Sequence, residues 1–284
     1  MDLVKLPDVI SDREFNWSEE AQGFASGGGY WFVTQKPCLR RLPNTKPLAS
    51  DFGDRLDIPG FLQNEHYDHF GDPDFSGGRI FVPLEGKVIF QQFQYHLRPR
   101  LCAFDVETWK FLGWASFPDQ ATNAPWVAVH PVSGLVYSSH DHPDIIFGHH
   151  VEIDQYGLTM KTVSRTPLLD ESGARMSPGQ VQGGAFTPDG KFLFLSVKAD
   201  NLEIQCYEMP TGRRVKRKFL STDGILNDLE NEGIMIVDQS VSPVHPRWTL
   251  FVIILNNDHF ESDNVSVQCF QIRTGTTPPT HVPT

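Results

Sequence analysis

The sequence predicts an all-β protein, a single five-bladed β-propeller built from four-stranded blades. Three observations carry that expectation. Composition is the first: 23 Gly and 21 Pro accompany 12% aromatics, 21 of them Phe, a mixture of turn residues and bulky strand formers. The second is a unit that recurs five times: a short strand, a Gly-containing turn, then a strongly apolar strand. The third is its period. Anchored on residues 23, 71, 127, 184 and 233, successive copies lie 48, 56, 57 and 49 residues apart, which suits a four-stranded blade.

The five hairpins are expected as follows. Residues 22–25 run into 30–33. A second short strand turns through Ser76-Gly77-Gly78 into 79–84. Residues 125–129 pair with 134–137. Residues 182–186 turn through Pro188-Asp189-Gly190 into 192–195. The last hairpin joins 232–236 to 250–255. A third strand follows each hairpin, at 38–42, 101–105, 145–153, 202–209 and 265–272. A fourth follows in four copies, at 55–58, 111–117, 160–166 and 213–220. Pro59, Pro118 and Pro167 close three of these, as suits outer-edge strands.

After residue 272 no fourth strand is legible, only a Thr- and Pro-rich stretch, read as a disordered tail over 274–284. Leu3-Val4-Lys5-Leu6-Pro7 has the same pattern as Leu56-Asp57-Ile58-Pro59. It is expected to supply the missing outer strand of the last blade, closing the ring and leaving no long open edge. Residues 1–273 then form one domain.

Cys38, Cys102, Cys206 and Cys269 all fall on third strands. Packed sheets lie about 10 Å apart and a disulfide needs Cα atoms within about 7 Å. Four buried free thiols are therefore expected.

The formal net charge is -11, which argues against nucleic acid or an anionic membrane as a partner. The basic run 213–218 reads as a solvated outer strand. No apolar run reaches the ~18 residues of a membrane span, and the charged N-terminus holds no signal-peptide core. A cytoplasmic location is expected, with a monomer as a plausible oligomeric state.

Residues just before each inner strand and just after each second strand share one face of a propeller, because the strands are antiparallel and tightly joined. That rim collects Gln22, Glu65, His66, Asp68, His69, Asp72, Glu85, Trp126, His140, His142, Gln182, Glu232, Asn257 and His259. The opposite face carries the tight turns. Residues 64–72 alone hold two His, two Asp and a Glu, and this polar stretch does not recur in other blades.

Three uses of these residues stay open. Imidazoles of His66, His69, His140, His142 and His259 suit a transition metal such as zinc, iron or manganese, while carboxylates and Asn suit calcium. A metal-free acid–base site is the second use. A satisfied polar network plugging a narrow channel is the third. No organic cofactor is indicated, since phosphate loops, Gly-x-Ser-x-Gly and Cys-x-x-Cys are absent from the sequence.

Within a catalytic reading, His66, Asp68, His69, Asp72 and Glu232 are the expected catalytic residues. Gln22, Glu85, Trp126, Gln182, Asn257 and Arg98 are expected to touch substrate, with Trp126 as an apolar wall. Arg98 sits in an insertion over 87–100, read as an exposed loop or as a lid.

The repeat Gly184-Ala185-Phe186-Thr187-Pro188-Asp189-Gly190-Lys191-Phe192-Leu193-Phe194 resembles the blades of NHL/YVTN and SMP-30/gluconolactonase-like propellers. That resemblance implies metal-dependent hydrolases with a divalent cation on the channel axis, held here by Glu232, Asn256 or Asn257, and Asp72. Related propellers of specialised metabolism act as lyases or cyclases. Asp72-Pro73, Ala124-Pro125 and Glu232-Gly233 also resemble inner-strand starts of arabinanase-like glycoside hydrolases, which implies paired carboxylates such as Asp72 and Glu232. The expected function is therefore a hydrolase, lyase or cyclase acting on a small organic molecule in the central funnel, with or without one divalent metal. The alternative is a non-catalytic propeller that binds a carbohydrate or a partner protein.

Overall fold

Short strands, glycine turns and alternating burial build five twisted antiparallel sheets arranged in a ring. The computed structural model describes residues 1–90, 93–221, 229–240, 247–256 and 263–273. The tail expected at 274–284, with Asn257 and His259, lies outside the described residues.

From the axis outward, blade one is Ala21–Gly27, Tyr30–Gln35, Cys38–Pro43 and Asp54–Asp57. Blade three is Ala128–Val129, Val136–Ser138, Ile145–Asp154 and Gly157–Pro167. Blade four is Gln180–Phe186, Phe192–Lys198, Leu202–Glu208 and Arg213–Phe219. Blade five is Leu229–Asp238, Trp248–Asn256, Asn264–Arg273 and, as its outer strand, Asp2–Lys5. The N-terminus therefore closes the ring, with Leu3 opposite Ile272. A second N-terminal strand, Ile10–Arg13, also pairs with Asn264–Arg273, which the sequence did not reveal.

Blade two departs from the others. Its inner strand is split into Tyr67–Phe70 and Asp74–Ser76, and both pieces pair with the long strand Arg79–Phe90. The residues expected as a loop or lid over 87–100 instead extend the sheet as a two-stranded ribbon, Phe93–His96 against the end of Arg79–Phe90. Alternation explains it: Phe93, Gln94, Tyr95 and His96 have the period of a strand. The one helix among the described residues, Gly60–Asn64, begins after Pro59 and joins blade one to blade two.

The core is divided among the seams between blades. Five apolar clusters fill them, such as Phe32, Leu39, Phe70, Val82 and Phe104 between blades one and two. Cys38, Cys102, Cys206 and Cys269 are buried free thiols, the last three in these seams.

Asp72, between the two pieces of the split strand, sits at the centre of the ring. It is fully buried. Its Oδ1 accepts the Phe24 N–H of blade one at 3.1 Å, and its Oδ2 accepts those of Gly184 (3.2 Å) and Ile234 (3.4 Å) of blades four and five. Its backbone bridges to blade three: Asp72 N–H donates to Pro125 O at 2.8 Å, and Val127 N–H to Asp72 O at 3.1 Å. One aspartate thus ties its own blade to the other four. The inner strands approach it closely because Gly23, Gly183 and Gly233 carry no Cβ; one on Gly23 would overlap the Asp72 carboxylate.

Candidate functional site

With Asp72 filling the axis, the ring has two separate mouths. The polar rim expected from sequence surrounds the upper one. Its geometry starts from a bulge that recurs in four inner strands. The register skips Gln22 in blade one, Asp68 in blade two and Gln182 in blade four, and skips Glu232 and Gly233 against a single partner residue in blade five. A bulge leaves a residue outside the ladder and re-aims its side chain. Here it lifts polar residues to the rim while the following glycines reach the axis.

A pocket of about 380 Å³ opens off the axis at the seam of blades one and two. Glu20 and Lys36 line it from blade one; Asp68, His69 and Glu85 line it from blade two. Lys87, Gln94 and His96 of the ribbon form its far wall. The ribbon's pairing sorts its side chains: Gln94 lies opposite Ile89 and His96 opposite Lys87, and these alternate with the pairs Phe93–Phe90 and Tyr95–Val88. The face turned to the pocket presents Lys87, Gln94 and His96, with exposed Ile89 beyond the pocket lining. The other carries Phe90, Phe93 and Tyr95, each more than half exposed.

His69 and Glu85 are direct cross-strand partners, and both line the pocket. Facing residues in an antiparallel pair bring their Cβ atoms within about 5 Å. His69 Nε2 lies 2.6 Å from Gln22 Oε1. Gln22 is itself oriented, its amide N–H donating to the Glu20 and Ala21 carbonyls at 3.3 Å each. Its oxygen must therefore accept, so His69 carries its proton on Nε2 and keeps a lone pair on Nδ1. Burial, then the positive charge of Lys36, lowers the imidazole to about 4, so it is neutral near pH 7.

Glu85 Oε1 accepts the Ala124 N–H at 2.7 Å. Burial raises its carboxyl to about 7, opposed by that hydrogen bond and reinforced by Asp141. Lys36 pairs with Glu20 at 2.9 Å, and Lys198 with Glu230 at 3.2 Å. Beneath them Glu232 is buried. Burial first, then the charge of Glu230 and a hydrogen bond to it, pushes Glu232 well above the usual carboxyl range.

The other rim residues go elsewhere. Asp72 is buried with both oxygens engaged by backbone N–H groups, and burial raises its carboxyl despite those bonds. It therefore does not face Glu232 across an open channel. Trp126 is fully buried, its indole N–H donating to Ser139 Oγ at 2.9 Å and its ring lying against Gly184. It packs a seam rather than walling the pocket. His66 is exposed at positive φ after the helix. Arg98 is exposed, and its guanidinium donates to the Pro118 carbonyl. His140 lies on blade three, 3.3 Å from Asn123 Oδ1, and His142 is exposed beside it. Gln182 is half-buried at its bulge on blade four.

Among the described residues, no three His, Cys, Asp or Glu side chains come together in a way that could hold a metal ion. Of the donors named for a metal, His66 and His69 lie on blade two and His140 and His142 on blade three, while His259 lies outside the described residues. His149, also buried, is satisfied within blade three by the hydroxyls of Ser138 (3.0 Å) and Thr162 (3.1 Å).

Lys36, Lys87, Gln94 and His96 were missed from sequence. The first directly follows the second strand of blade one, Tyr30–Gln35. The others needed the ribbon, whose signal was the strict alternation of residues 93–96.

No protein-family model matches the chain, and no curated protein sequence is significantly similar to it. Solved structures are similar in fold. Native Bacillus subtilis arabinanase Arb43A matches at 11% identity and a TM-score of 0.51, covering 92% of this chain and 96% of that one. A luciferin-regenerating enzyme matches at 10% identity and a TM-score of 0.50, covering 90% and 79%. Kuenenia stuttgartiensis hydrazine synthase is more distant, at 11% identity and a TM-score of 0.42, covering 88% of this chain and 67% of that one. At such identities the likeness is one of fold. Among the described residues, no helix is long and apolar enough to cross a membrane.

Proposed function

We propose that the upper pocket is the active site of an enzyme that acts on a small polar organic molecule by acid–base catalysis, of the hydrolase, lyase or cyclase type. One observation carries this reading: Glu85, raised to about 7, stands beside a His69 whose free lone pair is fixed by Gln22. A general base is most effective when its pKa lies near the working pH. Glu85 takes the proton from the substrate or from an attacking water. His69 Nδ1 accepts a hydrogen bond from a substrate hydroxyl and orients it. Lys36 and Lys87 supply positive charge where an oxyanion develops. Asp68 and Gln94 contribute polar contacts at the mouth. The volume, about 380 Å³, suits a ligand of metabolite size.

The test is a turnover screen of lactones, glycosides and hydroxy acids with the native protein, Glu85→Gln and His69→Ala. For an accepted substrate, kcat/KM should rise with pH and level off above about 7. Glu85→Gln should lower kcat by a factor of about 10² to 10⁴, with little change in KM. Turnover unaffected by Glu85→Gln would refute the assignment. Saturable binding without turnover would assign the pocket to a binding module instead.

A further inference from the structure

The lower mouth, on the face of the tight turns, is not the featureless end that its sequence suggests. Under Asp72 all five inner strands converge on a cavity of about 150 Å³. Most of its lining residues are apolar in type, with at least one from every blade; Phe24, Ile234 and Met235 among them are packed into the seams, while Phe75, Pro188 and Ile236 remain partly exposed. A single ionisable side chain, Asp74, is among its lining residues.

Asp74 is held rigidly. Its Oδ1 accepts the Phe75 N–H and its Oδ2 the Val129 N–H, both at 2.7 Å. These two bonds pin the carboxylate across the seam of blades two and three. Each oxygen retains a second acceptor direction. Among the described residues, Asp74 makes no ion pair with Lys, Arg or His. A carboxylate fixed among mostly apolar residues without a countercharge favours an occupant that brings one, together with N–H donors and an apolar body.

We propose that this lower cavity is a binding site for a small primary alkylammonium ion, its ammonium group on Asp74 and its alkyl chain against Phe75, Pro188 and Ile236. The cavity dimensions set the size. A water occupies about 30 Å³ of liquid, so about 150 Å³ accommodates a chain of roughly four or five heavy atoms. Bulkier ammonium groups are rejected by the walls, and uncharged alcohols of equal length lack the ion pair. The site is separate from the upper pocket, because Asp72 and the axis glycines fill the space between the mouths.

The probe is n-butylammonium chloride, titrated calorimetrically into the native protein at pH 8. Burial raises Asp74 to about 7, so the carboxylate is ionised at that pH. The expected result is saturable one-to-one binding that n-butanol and tetramethylammonium do not reproduce. Asp74→Asn should weaken it at least about thirty-fold, the effect of removing one partner of a buried charge pair. Ser26→Leu, which fills the cavity without touching the carboxylate, should abolish it. His69→Ala, at the other mouth, should bind as the native protein does. Circular dichroism establishes that each variant is folded. No saturable binding by native protein would overturn the proposal. So would binding that survives both Asp74→Asn and Ser26→Leu, which would place the cation in the acidic upper pocket.

Discussion

Asp72→Ala isolates the interaction that holds the ring together. In the native protein three backbone N–H groups, of Phe24, Gly184 and Ile234, end on this one carboxylate. Truncation leaves all three buried without an acceptor. An orphaned buried donor costs about 1–3 kcal/mol, so the three together cost about 3–9 kcal/mol. Removing a buried carboxyl gives some of that back, since burial itself disfavours its ionised form. The sign of that offset is fixed: a carboxyl whose pKa is raised by folding stabilises the native state at low pH and loses that contribution as pH rises through its folded pKa. The deficit of Asp72→Ala should therefore be largest near pH 5 and smaller at pH 8. Even about 3 kcal/mol is a large fraction of a typical 5–15 kcal/mol stability. Asp72→Asn keeps one acceptor oxygen and should fall between the two. The assay is urea denaturation at pH 5 and pH 8, followed by tryptophan fluorescence and far-UV circular dichroism. An Asp72→Ala midpoint within 1 kcal/mol of native at pH 5 would refute the reasoning that the axis depends on this residue.

Other outcomes follow from the same geometry. Glu85→Gln keeps the acceptor for Ala124 but removes the ionisation that folding disfavours. With the carboxyl raised from 4.5 to about 7, its stability relative to native should improve by about 3 kcal/mol between pH 4.5 and pH 8; a pH-independent difference in denaturation midpoints would contradict the raised value. The four buried thiols should react with an aromatic disulfide reagent only after unfolding, since burial raises the pKa of each; fast labelling of the native protein would place a cysteine at the surface. Deleting residues 1–7 exposes the edge of Asn264–Arg273 and should cause aggregation or a clear loss of thermal stability, seen by light scattering on heating; an unchanged melting curve would show that the last blade closes without its N-terminal strand.

The ring itself was legible because its signals are periodic. Each hairpin repeats the same apolar pattern, and the anchors at 23, 71, 184 and 233 are the glycines that reach the axis or its edge. Even the closing strand showed, since residues 3–7 read like 56–59. The hub was harder. Asp72 drew attention as a polar residue on the rim, and its type suits catalysis equally well. What decides its role is the convergence of N–H groups from positions 48, 112 and 162 residues away, which no local pattern encodes. Trp126 misled for a related reason. Its place beside an inner strand suggested a pocket wall, but that strand begins with a parallel bridge to Asp72, and the indole turns into the seam. The His69–Glu85 pairing depended on a bulge at Asp68 that shifts the register by one residue. The ribbon was hidden by its position in an insertion, although its alternation was visible. The carboxylate of the lower mouth was overlooked because its sequence neighbours, Pro73 and Phe75, are apolar and nothing local marked it.

The most direct test of the acid–base account needs no substrate. Carboxyl-labelled glutamate and ring-labelled histidine, assigned with Glu85→Gln and His69→Ala, allow both groups to be titrated by nuclear magnetic resonance. The account predicts a Glu85 carboxyl titrating near 7. It also predicts a His69 imidazole that stays neutral, protonated on Nε2, down to about pH 4. A Glu85 that titrates near 4.5 together with a His69 that titrates near 6.5 would mean an open, solvated rim, and would contradict the assignment of this pocket as a catalytic site.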